Sequence, residues 1–321
     1  MREILCSGQA RSLEFPYPGG MAALCWSPAG ERGELTVSLH YDGAYGMGEK
    51  YNAVNQKGHT AVNEVEEKFC FQGGKTYCPA PFFWTNTGFG LYAATDERTS
   101  FRFGEKAVCA ELPVDCRVVL FSGMPGEIIR DYMDLFGPAK LPPKWAFGPW
   151  ISANHWDSQE KVERAVAQAE EHGFPVCALV AEAWSDEATF YVFRGARYVP
   201  KPNGGAFRLE DFDFSDSPWP DPAGMVQRLH EKGIRFLLWQ IPVYKKQGPD
   251  EPLNAQNELD QADAVARGLC VHNADGSPYT IPEGHWFAGS MIPDFTNPAA
   301  EETWFSKRNY LTEMGIDGFK T

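Results

Sequence analysis

The chain has 321 residues, of which 43% are hydrophobic and 14% aromatic, and a formal net charge of -14. That length exceeds one small domain and that composition excludes a disordered chain, so two packed domains are expected. The acidic balance excludes nucleic acid and anionic membrane surfaces as electrostatic partners, and no apolar run reaches membrane-spanning length. Met1-Arg-Glu-Ile-Leu-Cys6 lacks the apolar centre of a signal peptide. The eight cysteines form no Cys-x-x-Cys pair and the seven histidines show no ligand spacing, so we expect reduced thiols, no metal, no cofactor and a cytoplasmic location. Gly46-Met-Gly48 lacks the companions of a phosphate-cradling loop.

From Met1 to about Phe136 the pattern is β. Glu34–His40 alternates apolar and polar residues, and Phe82–Trp84, Gly88–Tyr92 and Arg117–Phe121 are further strand candidates between glycine- and Asx-rich breaks. Antiparallel strands in a sandwich are expected, with Phe82, Phe83 and Trp84 in its core. The polar stretch from Asn52 to Glu67, carrying Asn63, Glu64 and Glu66, reads as a solvated loop. A helix opens at Pro125, puts Ile128, Ile129, Tyr132 and Leu135 on one face and ends at Gly137. Pro138 and Pro142-Pro143 then mark a linker.

After the linker the rhythm changes. Trp145–Ile151 is a short apolar run, and Asp157-Ser-Gln-Glu160 has the form of a capping box before the helical spacing Val162, Ala165, Val166, Ala169. Val176–Ala181 is apolar on both faces, as a strand buried on both sides must be. Asp221-Pro222 opens a second helix, followed by the strand Arg235–Ile241. Asn297-Pro298 opens a third helix carrying Trp304, Leu311 and Met314, and Gly315 ends it before the terminal strand. Four strands alternating with helices demand a parallel sheet. Polar and aromatic residues gather where these strands end, which is where an eight-stranded barrel keeps its site. About 250 residues complete such a barrel, so only its first half is expected here. The segment from Pro242 to Thr296 is long enough to cover a site.

Glu182 leaves an apolar strand at its carboxyl end, where it can accept hydrogen bonds from hydroxyls or cap a helix. Trp184 and Trp239 can stack on a sugar ring or fill a core. Lys320 can bind an oxygen, pair with a carboxylate, or form a Schiff base as in a barrel lyase. Asp317 lies on the opposite face of its strand from Lys320 and reads as structural. Ser185-Asp-Glu187 and Asp211–Ser215 read as solvated, and Asp294 either lines a pocket or staples a loop.

Taken together, Pro142-Pro-Lys-Trp-Ala-Phe-Gly148, Trp239-Gln-Ile-Pro242, Asp294-Phe-Thr-Asn-Pro298 and Gly315-Ile-Asp-Gly-Phe-Lys-Thr321 resemble family 31 of the glycoside hydrolases. Gly46-Met-Gly-Glu49 and Phe82–Gly90 resemble that family's amino-terminal sandwich. The resemblance implies a β-sandwich (residues 1–137) followed by the first four or so strands of a (β/α)8 barrel (138–321). It also implies retaining hydrolysis of α-linked sugars, α-glucosidase before α-xylosidase. An oligosaccharide or other α-glycoside would be the partner, and oligomerisation stays open. By the same resemblance Lys320, Glu182, Trp184 and Trp239 contact sugar, with Glu182 standing where aspartate is common, and Asp294 leads into the next helix. The nucleophile is expected immediately after Thr321 and the acid/base later, so none of the 321 residues is catalytic and the chain alone is expected to hydrolyse nothing. A non-catalytic sugar-binding remnant and a Lys320 lyase are the alternatives.

Overall fold

The computed structural model describes residues 1–65, 76–137, 139–202 and 204–321. Glu66 and Glu67 of the polar stretch and Pro138 of the linker lie outside the described residues. The chain divides into two compact units, Met1–Leu141 and Pro142–Thr321. Among the described residues no helix is long and apolar enough to cross a membrane.

The first unit's strands are β1 (Arg2–Cys6), β2 (Arg11–Tyr17), β3 (Gly20–Ala29), β4 (Arg32–Ser38), β5 (Ala44–Gly48), β6 (Thr60–Asn63), β7 (Pro79–Thr85), β8 (Phe89–Ala94), β9 (Thr99–Phe103), β10 (Ala107–Pro113) and β11 (Cys116–Ser122). They form two sheets, β1-β11-β8-β7-β5 and β2-β3-β4-β10-β9-β6. Period-2 alternation decides what is buried. On β3, Ala22, Leu24 and Trp26 turn inward while Met21, Ala23 and Cys25 face out, and the inward set joins Phe83, Phe89, Leu91 and Val118 of the other sheet in one core. In β5 the register shifts between Gly46 and Gly48. Gly48 has φ +79°, and a Cβ there would lie 2.1 Å from the Cys78 carbonyl oxygen.

Two expectations for this unit need correction. Asn63 is not part of a solvated loop: it ends β6 and is buried, its Nδ2 donating to Thr99 Oγ1 at 3.2 Å. On α1 (Pro125–Asp134) Ile128 is buried and Tyr132 stacks on Phe82 with centroids 3.8 Å apart. Ile129 is 40% exposed, because one residue turns the helix by about 100° and carries it off that face; Leu135, 38% exposed, is the C-cap beyond the last helical residue.

The second unit runs β12 (Trp150–Ala153), α2 (Gln159–Glu171), β13 (Ala178–Ala181), α3 (Pro222–Glu231), β14 (Arg235–Trp239), α4 (Ala255–Ala266), α5 (Pro298–Ser306), α6 (Asn309–Glu313) and β15 (Gly318–Lys320). Its four strands are parallel neighbours in chain order, β12-β13-β14-β15. Asp221 caps α3, its carboxylate accepting from Gly224 N, and Pro222 fills the first turn, where no amide partner is needed. Met225, Val226 and Leu229 of α3 and Val162 and Val166 of α2 pack onto Leu179, Ala181, Phe236 and Leu238.

Several boundaries differ from the sequence reading. Trp145–Phe147 lies in a 3-10 turn, Lys144–Phe147, and the strand starts only after Pro149. The α2 cap is Ser158, not Asp157: Ser158 Oγ accepts from Lys161 N, while Asp157 accepts from Lys161 Nζ at 2.7 Å. The strand at Arg235 ends at Trp239. The stretch from Pro242 to Thr296 is not all loop, since Asn254 caps α4 within it. The third helix breaks into α5 and α6 where Lys307 and Arg308 turn inward, and its ladder tightens there to Arg308 N donating to Phe305 O. Asp186 is no solvated carboxylate. It accepts from the amides of Ala188, Thr189 and Phe190 and from Asn254 Nδ2, and burial raises its pKa.

Asp317 is structural, as its strand face implied. Its carboxylate accepts from Phe236 N (2.8 Å) and Arg235 Nη1 (3.1 Å) and lies 2.8 Å from His230 Nε2, tying the start of β15 to β14 and α3. Asp317→Ala is expected to cost about 2 kcal/mol by leaving these groups without an acceptor. Glu163→Ala, which breaks the exposed Arg228 pair, should cost under about 1 kcal/mol. Urea unfolding of the two variants checks the contrast.

Candidate active site

The register of the parallel sheet sorts its side chains. Val180 sits opposite both Ser152 and Leu237, and Leu237 opposite Gly318; one row on, Trp239 is opposite Lys320. Alternation therefore puts Ser152, Val180, Glu182, Leu237, Trp239, Gly318 and Lys320 on one face. Ile151, Leu179, Ala181, Phe236, Leu238 and Phe319 take the other, where they join the cluster packed on the helices. The polar residues at the carboxyl end thus share the face turned away from the helices.

On that face Lys320 Nζ donates to Glu182 Oε1 at 2.7 Å, and Ser152 Oγ donates to the same oxygen at 2.8 Å. The Glu182 side chain is 14% exposed and that of Lys320 51%. Glu182 is therefore a fixed acceptor with Oε2 free of any described hydrogen bond, and Lys320 is a cation with room for a further oxygen. Schiff-base chemistry needs an uncharged amine, commonly made in an apolar pocket. Lys320 is half exposed and touches a carboxylate, which does not favour that route.

An aromatic wall stands beside the pair. Trp239 packs edge-on to Phe190 (5.5 Å between centroids) and beside Trp286 (5.7 Å), and Trp286 contacts Phe287 (4.8 Å). Trp286 is 64% exposed. Phe190 and Phe287 have φ of 58° and 59°, a left-handed conformation that costs bulky residues about 1–3 kcal/mol each. The Phe190 turn is clamped by Asp186 below it and by Gln240, whose Nε2 donates to Phe190 O while its backbone N donates to Lys320 O at 2.7 Å. Such a wall offers apolar faces to a sugar ring, with a carboxylate and an ammonium alongside for its hydroxyls.

The remaining two sequence candidates are elsewhere. Trp184 is wholly buried: its Nε1 donates to Trp239 O at 2.8 Å and its ring meets Phe193 at 4.8 Å. It supports the wall from beneath, and its own faces are covered. Asp294 is a loop staple. Its Oδ1 accepts from Thr296 N (3.0 Å) and Thr296 Oγ1 (2.6 Å), which hold its carboxyl below the usual range, just ahead of the Asn297 cap of α5. Sequence reasoning missed Ser152, Phe190, Trp286 and Phe287. Ser152 was legible, since it directly follows the apolar run Trp145–Ile151, at the carboxyl end of the first parallel strand. Trp286 was not, because no periodicity places a residue in an irregular segment.

Burial separates the roles of the two tryptophans. Trp184→Ala is expected to destabilise by about 3–5 kcal/mol, whereas Trp286→Ala should stay within about 1 kcal/mol. Denaturant midpoints at unchanged m-value check this.

Comparison with known proteins agrees with this architecture. The model of the glycosyl hydrolases family 31 TIM-barrel domain matches residues 139–321. The isomaltosyltransferase of Sporosarcina globispora is 36% identical over 289 residues, covering 86% of this chain and 26% of the relative. The 1,3-alpha-isomaltosidase of Kribbella flavida is 34% identical over 315 residues, covering 94% of this chain and 43% of the relative. The cycloalternan-forming enzyme of Listeria monocytogenes, solved in complex with a pentasaccharide substrate, superposes with a TM-score of 0.86 at 34% identity, covering 94% of this chain and 31% of that one. The chain thus spans less than half the length of the relatives it matches. It belongs to family 31 of the glycosyl hydrolases.

Proposed function

We propose that this chain is the amino-terminal portion of a retaining α-glycosidase acting on α-glucans that contain isomaltosyl units. On this reading residues 1–137 are the sandwich domain, and 138–321 supply the first four strands and the sugar-facing floor of an eight-stranded barrel. Glu182 accepts from ring hydroxyls, Lys320 donates to a sugar oxygen, and Trp239 and Trp286 wall the ring, with Trp184 beneath. Ser152 holds Glu182 in place. Retention needs two carboxylates about 5 Å apart on either side of the anomeric carbon. We place the nucleophile directly after Thr321, beside Lys320, and the acid/base on a later strand, so residues 1–321 alone hydrolyse nothing. A cytoplasmic location belongs to this proposal.

The observation that carries this reading is the Lys320–Glu182 pair, set on the sheet face away from the helices beside the Trp239–Trp286 wall. The isomaltosyl preference over a simple α-glucosidase or an α-xylosidase rests on the names of the relatives at 34–36% identity.

The test uses the full-length protein with aryl α-isomaltoside, α-glucoside and α-xyloside. Hydrolysis or transfer with retained configuration, fastest on the isomaltoside, is expected. Glu182→Gln and Lys320→Met should each lower kcat/KM about 10–100-fold, the worth of a charged hydrogen bond. Equal rates on the three glycosides would remove the isomaltosyl assignment. Binding without turnover would favour a sugar-binding remnant. Turnover by residues 1–321 alone would overturn the placement of the nucleophile.

A further inference from the structure

The aromatic wall is only as well placed as the ring beneath it. Phe190 is 2% exposed and meets Trp239 edge-on at 5.5 Å between centroids and Phe287 edge-on at 5.6 Å, so it buttresses both. Its backbone stands at φ 58°, a conformation that persists only when the surroundings hold it. From the end of β14 it is held by Gln240, a buried residue whose Nε2 donates to Phe190 O at 2.6 Å. The backbone N of the same residue donates to Lys320 O at 2.7 Å. Gln240 thus ties the wall to the strand that carries Lys320.

A glutamine amide donates at one end and accepts at the other. Only one of its two orientations puts a donor at Phe190 O; turned over, it would set oxygen against oxygen. What selects the orientation lies behind it, at the break between α5 and α6. Arg308, buried there, donates from Nε to Gln240 Oε1 at 2.9 Å and from Nη1 to Trp304 O at 3.0 Å. Its guanidinium lies 3.5 Å from the centre of the Trp304 ring. Burial pulls its pKa down to about 10, which leaves it protonated at neutral pH, and a guanidinium offers donors alone. It therefore takes the oxygen end of the amide and turns the nitrogen toward Phe190. Both of these hydrogen-bond partners are neutral, so burying the charge is costly. An apolar side chain of similar length would avoid that cost and would leave the amide free to turn.

We propose that Arg308 is a positioning residue for sugar binding: by fixing the Gln240 amide it holds Phe190, and through Phe190 the rings of Trp239 and Phe287, where a bound sugar needs them. The inference rests on the reading of this face as the sugar site. Arg308 acts only through Gln240 and does not itself touch the sugar.

Two variants of the full-length protein, assayed on an aryl α-isomaltoside, test this. Arg308→Met removes the guanidinium and leaves Lys307 and Asp260 as a balanced pair. Gln240→Glu keeps an acceptor for Arg308, which holds the new carboxylate ionised, and removes the donor to Phe190 O. Each is expected to raise KM about 3–10-fold, the worth of one hydrogen bond, with kcat changed less. For Gln240→Glu the Tm should be no lower than the parent's, because the lost hydrogen bond is exchanged for an ion pair. A parental KM in either folded variant would overturn the inference and leave Arg308 a packing residue. If Arg308→Met does not fold, Gln240→Glu decides alone. Glu182→Gln, run alongside, separates this inference from the reading beneath it. A lowered kcat/KM in Glu182→Gln with a parental KM in Gln240→Glu overturns the role of Arg308 alone, whereas parental values in both overturn the sugar site as well.

Discussion

The interaction on which the rest depends is the in-register parallel pairing of β12, β13, β14 and β15. Side chains alternate along each strand, so a fixed register decides at once which residues meet the helices and which meet each other. Here it sends Leu179, Ala181, Phe236 and Leu238 to the helices and brings Ser152, Glu182, Trp239 and Lys320 to the opposite face. A slip of one residue in β15 would turn Lys320 into an apolar core and Phe319 to the Glu182 side. The apolar packing behind the sheet is therefore what aligns an ion pair between residues 138 positions apart in sequence.

That register is pinned at both ends by polar groups with little access to water. At the amino end Asp317 accepts from Phe236 N and Arg235. At the carboxyl end Gln240 donates to Lys320 O and Phe190 O and accepts from Arg308. Beneath the aromatic wall, Asp186 collects three successive amides and so holds Phe190 in a conformation it would otherwise avoid. Strain of that kind persists only where the surroundings over-determine it. Its presence at both Phe190 and Phe287 marks the wall as positioned rather than incidental.

Much of the architecture was legible in the sequence. Period-2 alternation at Glu34–His40, the uniformly apolar Val176–Ala181 and the Asp221-Pro222 cap each matched a local rule that the packing does not oppose. The failures were of two physical kinds. Where two residues compete for one role, sequence does not rank them: Ser158 and Asp157 can both cap α2, and geometry gives the cap to Ser158 and leaves Asp157 to Lys161. Where a polar residue is held by the fold around it, composition misleads: Asp186 and Asn63 read as solvated loop groups and are held inside. In the candidate site, Glu182, Lys320 and Trp239 were accessible because strand ends expose them. Trp286 and Phe287 come from irregular backbone, and Trp184 was misjudged because its partner, Trp239 O, is 55 residues away.

The central claim is that the face shared by Glu182, Lys320 and Trp239 receives the sugar. The most direct measurement is a crystal structure of the full-length protein with an isomaltosyl oligosaccharide bound. The account predicts hydroxyls within hydrogen-bond distance of Glu182 and Lys320 and a pyranose ring against Trp239 or Trp286. A saccharide bound elsewhere, with the Glu182–Lys320 pair unchanged and out of contact, would contradict it.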